Sequence, residues 1–224
     1  MPLVARSRKI SYGLPAAASF LLAGCGWFGE NDKLPYYQLT PEQRAWAAIY
    51  QQETTWRFRS EATGYERTYR IHNTVDKKQP NTKGKFSVEV AYYRQEMYAQ
   101  IDRTDSAIVR PVYTSHPQDF LLQAQVESPT TYWDNIFFRL NWEGTSLALP
   151  MRELTTGHLA LSPPYQLLPQ ATFNGHTYQN VVVYSVTQYP NTIKYPNTAE
   201  HICYTKDLGV VRYVEYSGEA WNRL

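Results

Sequence analysis

The chain of 224 residues contains two cysteines, Cys25 and Cys203, and the surroundings of Cys25 predict a covalent chemistry for its thiol. Leu22, Ala23 and Gly24 precede Cys25 and close a short apolar run. The small residues at positions 23 and 24 allow the backbone to lie extended in the groove of a peptidase that cleaves before Cys25. The thiol could then be linked to diacylglycerol through a thioether. We therefore expect Cys25 to carry a lipid, with residues 22–24 recognised by the signal peptidase.

The residues before this tetrad have the pattern of an export signal. Arg6, Arg8 and Lys9 are followed by an uncharged stretch, residues 10–22, that is shorter than the roughly 20 residues of a membrane-spanning helix. The whole pattern resembles the lipobox of bacterial lipoproteins. This resemblance implies a signal peptide over residues 1–24, an extracytoplasmic location and anchoring in the membrane by acyl chains such as palmitate. An ordinary secretory peptide is the alternative.

The chain after the signal divides into a tether and one domain. Residues 25–35 are expected to form the lipidated cysteine and its tether, and residues 36–224 a single domain, because no long linker interrupts them. Gly26 stands where an aspartate would favour inner-membrane retention in enteric bacteria. The lipobox resemblance therefore implies the outer membrane.

Removal of the signal also changes the charge of the chain. The full sequence has 22 basic and 20 acidic side chains, and three of the basic ones lie in the signal, which leaves 19 against 20. A nearly neutral chain lacks the broad positive surface that nucleic-acid binding requires. Cys203 becomes the only free thiol, and we expect it to be buried in a strand as a small apolar group. The alternative is that Cys203 is a catalytic cysteine.

Motifs of enzymes and metal sites are absent from the sequence. We find no serine elbow, no phosphate-binding glycine loop and no pair of metal-binding cysteines, and the five histidines are dispersed. We therefore expect no cofactor, no metal and no catalytic residue. The alternative is an envelope hydrolase whose site combines distant carboxylates across a cleft. Its candidate acid pairs are Glu89 with Glu96, Asp102 with Asp105, and Asp119 with Glu127.

Aromatic residues are the one positive indication of binding, since the chain has 19 tyrosines and six tryptophans. Rings with polar edges stack on sugars and line apolar grooves, although they also fill the cores of β proteins. Tyr132, Trp133 and Trp142 are the candidate ligand-binding residues. Tyr132 and Trp133 are adjacent, so they point to opposite faces of a strand. The expected partners are an envelope protein, a glycan or a lipid, in addition to the membrane.

The first elements of the domain follow from local patterns. Thr40, Pro41 and Glu42 predict the start of a short helix. Alternation of apolar and polar residues predicts a hairpin over residues 54–71, with a turn at 61–64. Residues 76–85 are expected to form a solvated loop. Residues 86–101 predict a long strand. A bulge is expected near residues 94–96, because the apolar side chains before and after this point lie on opposite faces of the strand.

The remaining chain predicts a mainly β fold. Further strands are expected at residues 107–114, 120–126, 132–142, 146–149, 178–187, 200–205 and 210–216, with an irregular stretch over 154–171. About ten strands and one clear N-terminal helix favour a curved antiparallel sheet, closed as a partial barrel or packed as a sandwich.

Two C-terminal segments, residues 173–181 and 204–212, carry a second resemblance. They are similar to a recurring ending of uncharacterised envelope lipoproteins, notably those of Bacteroidetes. The resemblance implies a β-sheet lipoprotein domain and brings no catalytic residues with it. The residues agree, since Asp207 to Gly209 suit a tight turn in which Gly209 takes a positive φ.

Overall fold

A computed structural model describes residues 34–84, 86–105, 118–125, 136–156, 161–186 and 195–224. The strands in these residues are β1 (Tyr36–Tyr37), β2 (Thr54–Ser60), β3 (Glu66–Thr82), β4 (Val90–Arg103), β5 (Asp119–Ala124), β6 (Ile136–Trp142), β7 (Thr145–Leu147), β8 (Tyr165–Phe173), β9 (His176–Ser185), β10 (Ala199–Thr205), β11 (Gly209–Glu215) and β12 (Ala220–Arg223). The helices are α1 (Pro41–Ala45) and α2 (Met151–Thr156), with a 3-10 turn at Ala48–Tyr50.

Eleven of the strands form one curled antiparallel sheet, a half-barrel, in the order β7-β6-β5-β4-β3-β2-β12-β11-β10-β9-β8. The two-residue strand β1 lies off this path and pairs in parallel with β4. The Ala199 amide donates to the Glu143 carbonyl at 2.9 Å, and the Thr145 hydroxyl donates to the Ala199 carbonyl. These two hydrogen bonds join the start of β10 to the β6–β7 turn, although β10 does not pair with β6 or β7 as a neighbouring strand. The expectation of a mainly β, curved antiparallel fold is confirmed.

Aromatic side chains fill the concave side of the sheet. Trp56, Phe58, Tyr69 and Trp142 are fully or almost fully buried, and the rings of Tyr69 and Trp142 lie with their centroids 4.6 Å apart. The 3-10 turn contributes Tyr50, which stacks on Phe120 at 4.1 Å. Burial of large rings is the main stabilising contribution that such a sheet obtains.

Helix α1 begins where the sequence predicts. The Gln43 amide donates to the Thr40 hydroxyl at 3.3 Å, and the Thr40 amide donates to the Gln43 side-chain oxygen at 2.8 Å. This reciprocal capping satisfies two amides that the first turn leaves unpaired. The cap holds Trp46 and Tyr50, both buried, against the barrel.

The predicted hairpin of β2 and β3 is confirmed, but the loop predicted over residues 76–85 is wrong. Strand β3 continues to Thr82 and pairs with β4 along its whole outer half. The charged, mostly exposed residues there show no apolar alternation because this part of the ribbon has no core to face. The bulge expected near 94–96 is also misplaced, since the ladder is continuous there and shifts instead between His72 and Val75 and between Asn81 and Thr82.

The stretch expected to be irregular, residues 154–171, contains the end of α2 and most of strand β8. Pro169 disrupts the strand pattern in the sequence, yet β8 tolerates it because β8 is the last strand of the sheet and pairs only with β9. Strands β1 and β12 were not expected, as both are short. The strand predicted over residues 107–114 lies outside the described residues.

Candidate functional site

A buried ionic cluster links β3, β11 and the β6–β7 turn. The Arg67 Nη1 donates to the Tyr213 hydroxyl at 2.9 Å and to the Glu215 carboxylate. The Tyr69 hydroxyl donates to the Glu143 carboxylate at 2.8 Å. Glu143 has a φ of 40° and precedes Gly144 with a φ of 76°, which form the tight turn that directs the Glu143 side chain inward. All five side chains are almost completely buried.

The charges of this cluster are arranged around Arg67. Burial alone lowers the pKa of the Arg67 guanidinium, but Tyr213, Glu215, Tyr69 and Glu143 outweigh it and raise that pKa. Burial raises the pKa of Glu215 despite the hydrogen bond from Arg67. Burial also raises the pKa of Tyr69 well above its usual range, so its hydroxyl stays neutral. The cluster therefore has a fixed cation at its centre and neutral tyrosine hydroxyls beside it.

A pocket opens beside Arg67, where two turns lie next to each other. Strand β12 pairs with β2 through Trp221 and Ser60, so the β2–β3 turn and the β11–β12 turn share one end of the barrel. The pocket has a volume of about 420 Å³ and is open to solvent. Its lining consists of Thr63, Tyr65, Arg67, Glu215, Ser217, Glu219 and Trp221.

The lining divides into a fixed floor and a polar rim. The Arg67 guanidinium lies 3.6 Å from the centroid of the Trp221 ring, and Tyr213 stacks on the same ring at 6.1 Å. These contacts occupy the faces of Trp221. Tyr65 lies at the rim with 47% of its surface exposed, beside the hydroxyl-bearing Thr63 and Ser217.

Two glutamates face each other across the β11–β12 turn. The Glu215 amide donates to the Glu219 carbonyl at 2.9 Å, which places Glu215, the last residue of β11, opposite Glu219, the residue before β12. Like charges in this position are unfavourable. Arg67 compensates Glu215, and the Ser60 hydroxyl donates to the Glu219 carboxylate. Within the described part of the chain, Glu219 has no salt bridge, so its charge is available to a ligand.

Most of the predicted site residues lie outside the described part of the chain. Cys25 and residues 22–24 lie outside the described residues, as do Tyr132 and Trp133. Trp142 is described, and it lies in the core rather than on a binding face. It is fully buried against Phe58, Tyr69 and other rings, so it offers no surface to a ligand.

Cys203 is buried as expected. It packs with Val181 and Val211, and burial raises the pKa of its thiol to about 12. A thiol with this pKa is protonated at neutral pH and is a poor nucleophile. This placement disfavours the alternative of a catalytic cysteine.

The acid pairs of the predicted hydrolase alternative are bound elsewhere. Glu89 pairs with Lys83, and Glu96 lies 3.3 Å from Lys77. Asp102 lies 2.8 Å from the His72 Nε2, Asp105 binds Arg103 at 2.9 Å, and Asp119 lies 3.1 Å from Arg139. Glu127 is outside the described residues. None of these described acids lines the pocket that contains Glu215 and Glu219.

Sequence analysis missed the pair Glu215 and Glu219. The signal that could have found it is the run Glu215-Tyr216-Ser217-Gly218-Glu219, since a Ser-Gly turn after a strand brings the two glutamates face to face. Within the described ranges, no three His, Cys, Asp or Glu side chains are grouped to hold a metal ion. None of the helices described there has the length and apolar character needed to cross a membrane.

Comparison of the chain with protein-family models, with curated proteins and with solved structures found no match.

Proposed function

We propose that this protein is a lipid-anchored, non-enzymatic binding protein of the bacterial envelope, held in the outer membrane by Cys25 and related to Bacteroidetes-like lipoproteins. Its ligand is a glycan that docks in the pocket beside Arg67. The export signal, the tetrad ending in Cys25 and the near-neutral mature chain support the anchor and the location. The chemistry of the pocket supports the ligand class.

The rim of the pocket carries this proposal. Tyr65 presents an exposed ring, and Thr63, Ser217 and Glu219 present oxygen atoms around it. A sugar has an apolar face that stacks on such a ring and hydroxyls that hydrogen-bond to such oxygens. A volume of about 420 Å³ lies in the range of small-molecule sites.

The carboxylate of Glu219 adds a preference within this class. Ser60 is its hydrogen-bond donor, and no cation neutralises it within the part of the chain that the structure describes. An amino group on the sugar would therefore gain a charge-assisted hydrogen bond. We expect glucosamine to bind more tightly than N-acetylglucosamine, whose nitrogen is uncharged.

A glycoside hydrolase is the second candidate, and one observation favours it. Glu215 and Glu219 are two carboxylates in one pocket, and the raised pKa of Glu215 is what a proton donor needs. The hydrogen bond from Arg67 holds Glu215 in the floor, which favours a structural role. Incubation with chitotriose followed by mass spectrometry separates the two functions, because only the hydrolase releases shorter sugars.

Saturation-transfer NMR with glucosamine and N-acetylglucosamine tests the proposal. We expect the wild-type protein to bind both sugars with dissociation constants of about 10 mM, and to bind glucosamine more tightly than N-acetylglucosamine. Tyr65→Ala should weaken both by about threefold to tenfold, the value of one ring contact. Glu219→Gln keeps an acceptor for Ser60 but removes the charge, so it should abolish the preference for glucosamine.

Matched changes outside the pocket provide the controls. Tyr36→Ala removes a ring that is 37% exposed, and Glu89→Gln removes an exposed carboxylate on the other end of the fold. Neither change should alter sugar binding. Absence of saturable binding by the wild type, or equal losses in the control variants, would exclude this pocket as the glycan site.

A further inference from the structure

Strands β3 and β4 extend beyond the half-barrel as a two-stranded ribbon. Strand β2 pairs with β3 only over residues 66–71, and β5 pairs with β4 only over residues 96–100. Residues 75–94, called the arm below, are flanked by no other described strand except β1, which pairs with Tyr93 and Arg94. Eight residues of a strand span about 25 Å, so the arm extends well away from the core.

The tip of the arm presents two apolar side chains to solvent. Phe86 is 94% exposed and Val88 is 97% exposed, and both lie in the turn between Thr82 and Val90. The other exposed large apolar side chains of the described residues are between 37% and 47% exposed. Apolar groups held this far from a core gain free energy only when another apolar phase takes them up.

The arm also concentrates positive charge. By sequence, residues 75–94 contain five basic residues, Lys77, Lys78, Lys83, Lys85 and Arg94, against two acidic ones, a net charge of +3; Lys85 lies outside the described residues. The rest of the chain after the signal has 14 basic and 18 acidic residues, a net charge of −4. The near-neutral total therefore conceals a segregation of charge along the molecule. Anionic lipid headgroups attract a basic segment of this kind.

We infer that the arm is a membrane-contacting segment that inserts Phe86 and Val88 into a phospholipid surface while its net positive charge attracts it to anionic headgroups. The described part of the arm is a narrow two-stranded ribbon with exposed apolar side chains at its tip, a shape that suits insertion into a fluid surface. The Lys78 ammonium lies 4.0 Å from the centroid of the Tyr93 ring and 5.3 Å from that of Tyr36. Tyrosine beside lysine is typical of side chains at the level of lipid headgroups.

The inference rests on the proposed lipid anchor for the identity of the membrane. Eleven residues lead from Cys25 to Tyr36, the first residue of β1, and an extended chain of that length spans at most about 40 Å. A lipid on Cys25 would therefore keep β1, and the arm with which β1 pairs, within this distance of the bilayer. The arm tip and the sugar pocket lie at opposite ends of β3, so a membrane-bound arm leaves the pocket accessible.

Vesicle flotation tests the inference with the whole chain after the signal, residues 25–224, carrying Cys25→Ser so that no lipid contributes. We expect this protein to float with vesicles of phosphatidylglycerol and phosphatidylcholine, and less with phosphatidylcholine alone or at high salt. The double variant Phe86→Ser and Val88→Ser should partition about tenfold less, because it loses the apolar contact. The control Leu208→Ser with Leu224→Ser removes two exposed apolar side chains elsewhere and should float like the parent.

A fluorescent label reports the contact directly. Val88→Cys in the Cys25→Ser background offers one reactive thiol, because Cys203 is buried. An environment-sensitive dye on that thiol should shift to the blue with anionic vesicles, whereas the same dye on Leu208→Cys should not. Circular dichroism of each variant checks that the fold is unchanged by these exposed substitutions. Equal flotation of the tip variant, or an unshifted dye, would overturn the inference.

Two further outcomes separate this inference from related ones. A photoreactive residue at position 86 that cross-links in cells to one protein, and not to lipid, would overturn it in favour of a protein partner. Cys25→Ala in the full chain tests the anchor alone and should release the protein from the membrane fraction at high salt, where the electrostatic binding of the arm is screened. The triple variant adds Phe86→Ser and Val88→Ser to Cys25→Ala. If Cys25→Ala stays in the membrane fraction but the triple variant does not, the lipid anchor is refuted and membrane contact by the arm is supported.

Discussion

Gly209, the first residue of β11, is a position at which a single added methyl group should lower the stability of the protein strongly. Its φ is 70°, a conformation that alanine adopts at a cost of about 1 kcal/mol or more. A Cβ at this position would lie 2.8 Å from the Trp56 Cη2 and 3.2 Å from the Tyr50 hydroxyl oxygen. Neither ring can withdraw easily, since Trp56 is also in contact with Trp142 and lies under Arg223.

The expected loss of stability has two parts. The backbone conformation costs about 1–2 kcal/mol for any residue with a Cβ. The overpacked contact with Trp56 adds about 1–3 kcal/mol, the usual cost of extra volume in a filled core. We therefore expect Gly209→Ala to lower the free energy of unfolding by about 2–5 kcal/mol.

Gly175 provides the matched control. Its φ is 78°, and a Cβ there would meet nothing within 4 Å, so Gly175→Ala measures the backbone cost alone. Urea denaturation followed by circular dichroism gives both losses. If Gly209→Ala and Gly175→Ala destabilise the protein equally, the close approach of Trp56 to this turn contributes nothing, and the packing argument is refuted.

Two further predictions concern buried titratable groups. Burial raises the pKa of Cys203 from 9.0 to about 12, so between these pH values the folded protein keeps a proton that the unfolded chain loses. This group therefore leaves the free energy of unfolding unchanged below pH 9. Between pH 9 and 12 it should lower that free energy by about 1.4 kcal/mol per pH unit. Cys203→Ala should lack this part of the alkaline slope in denaturation measured across pH, and an unchanged slope would contradict the assignment. Arg67→Met leaves the Glu143 and Glu215 carboxylates without their buried cation and should cost about 3–5 kcal/mol. Adding Glu215→Gln should recover part of that loss in a double-mutant cycle, whereas additive losses would show that the two groups are uncoupled.

Local patterns were sufficient to predict several parts of the fold. The Thr40 cap, the β2–β3 hairpin and the turn at Gly209 each depend on a few neighbouring residues, and the structure has all three. The curved antiparallel sheet followed from the number of strands and the lack of alternating helices. These features are determined by backbone preferences and apolar periodicity, which a single sequence displays.

The arm and β8 could not be predicted in this way because neither has a regular apolar face. Residues 76–82 are charged or polar and include Pro80, so they read as a loop, although pairing with β4 makes them a strand. The pocket was missed for another reason. Glu215 and Glu219 face each other only through the turn geometry, and the proximity of Tyr65 depends on pairing between β2 and β12, which are far apart in sequence.

The two-residue strand β1 has a mechanical consequence. It is the first described strand, and if residues 25–35 form the proposed tether, a load applied through them would reach Tyr36 and Tyr37 before any other described strand. The described contacts of this segment include the bond from the Tyr93 amide to the Pro35 carbonyl at 2.8 Å, the bond from the Leu39 amide to Gln95 at 3.1 Å and the edge contact of Tyr37 with Tyr92. Under tension β1 would therefore detach first and lengthen the tether, which would protect the half-barrel from the force.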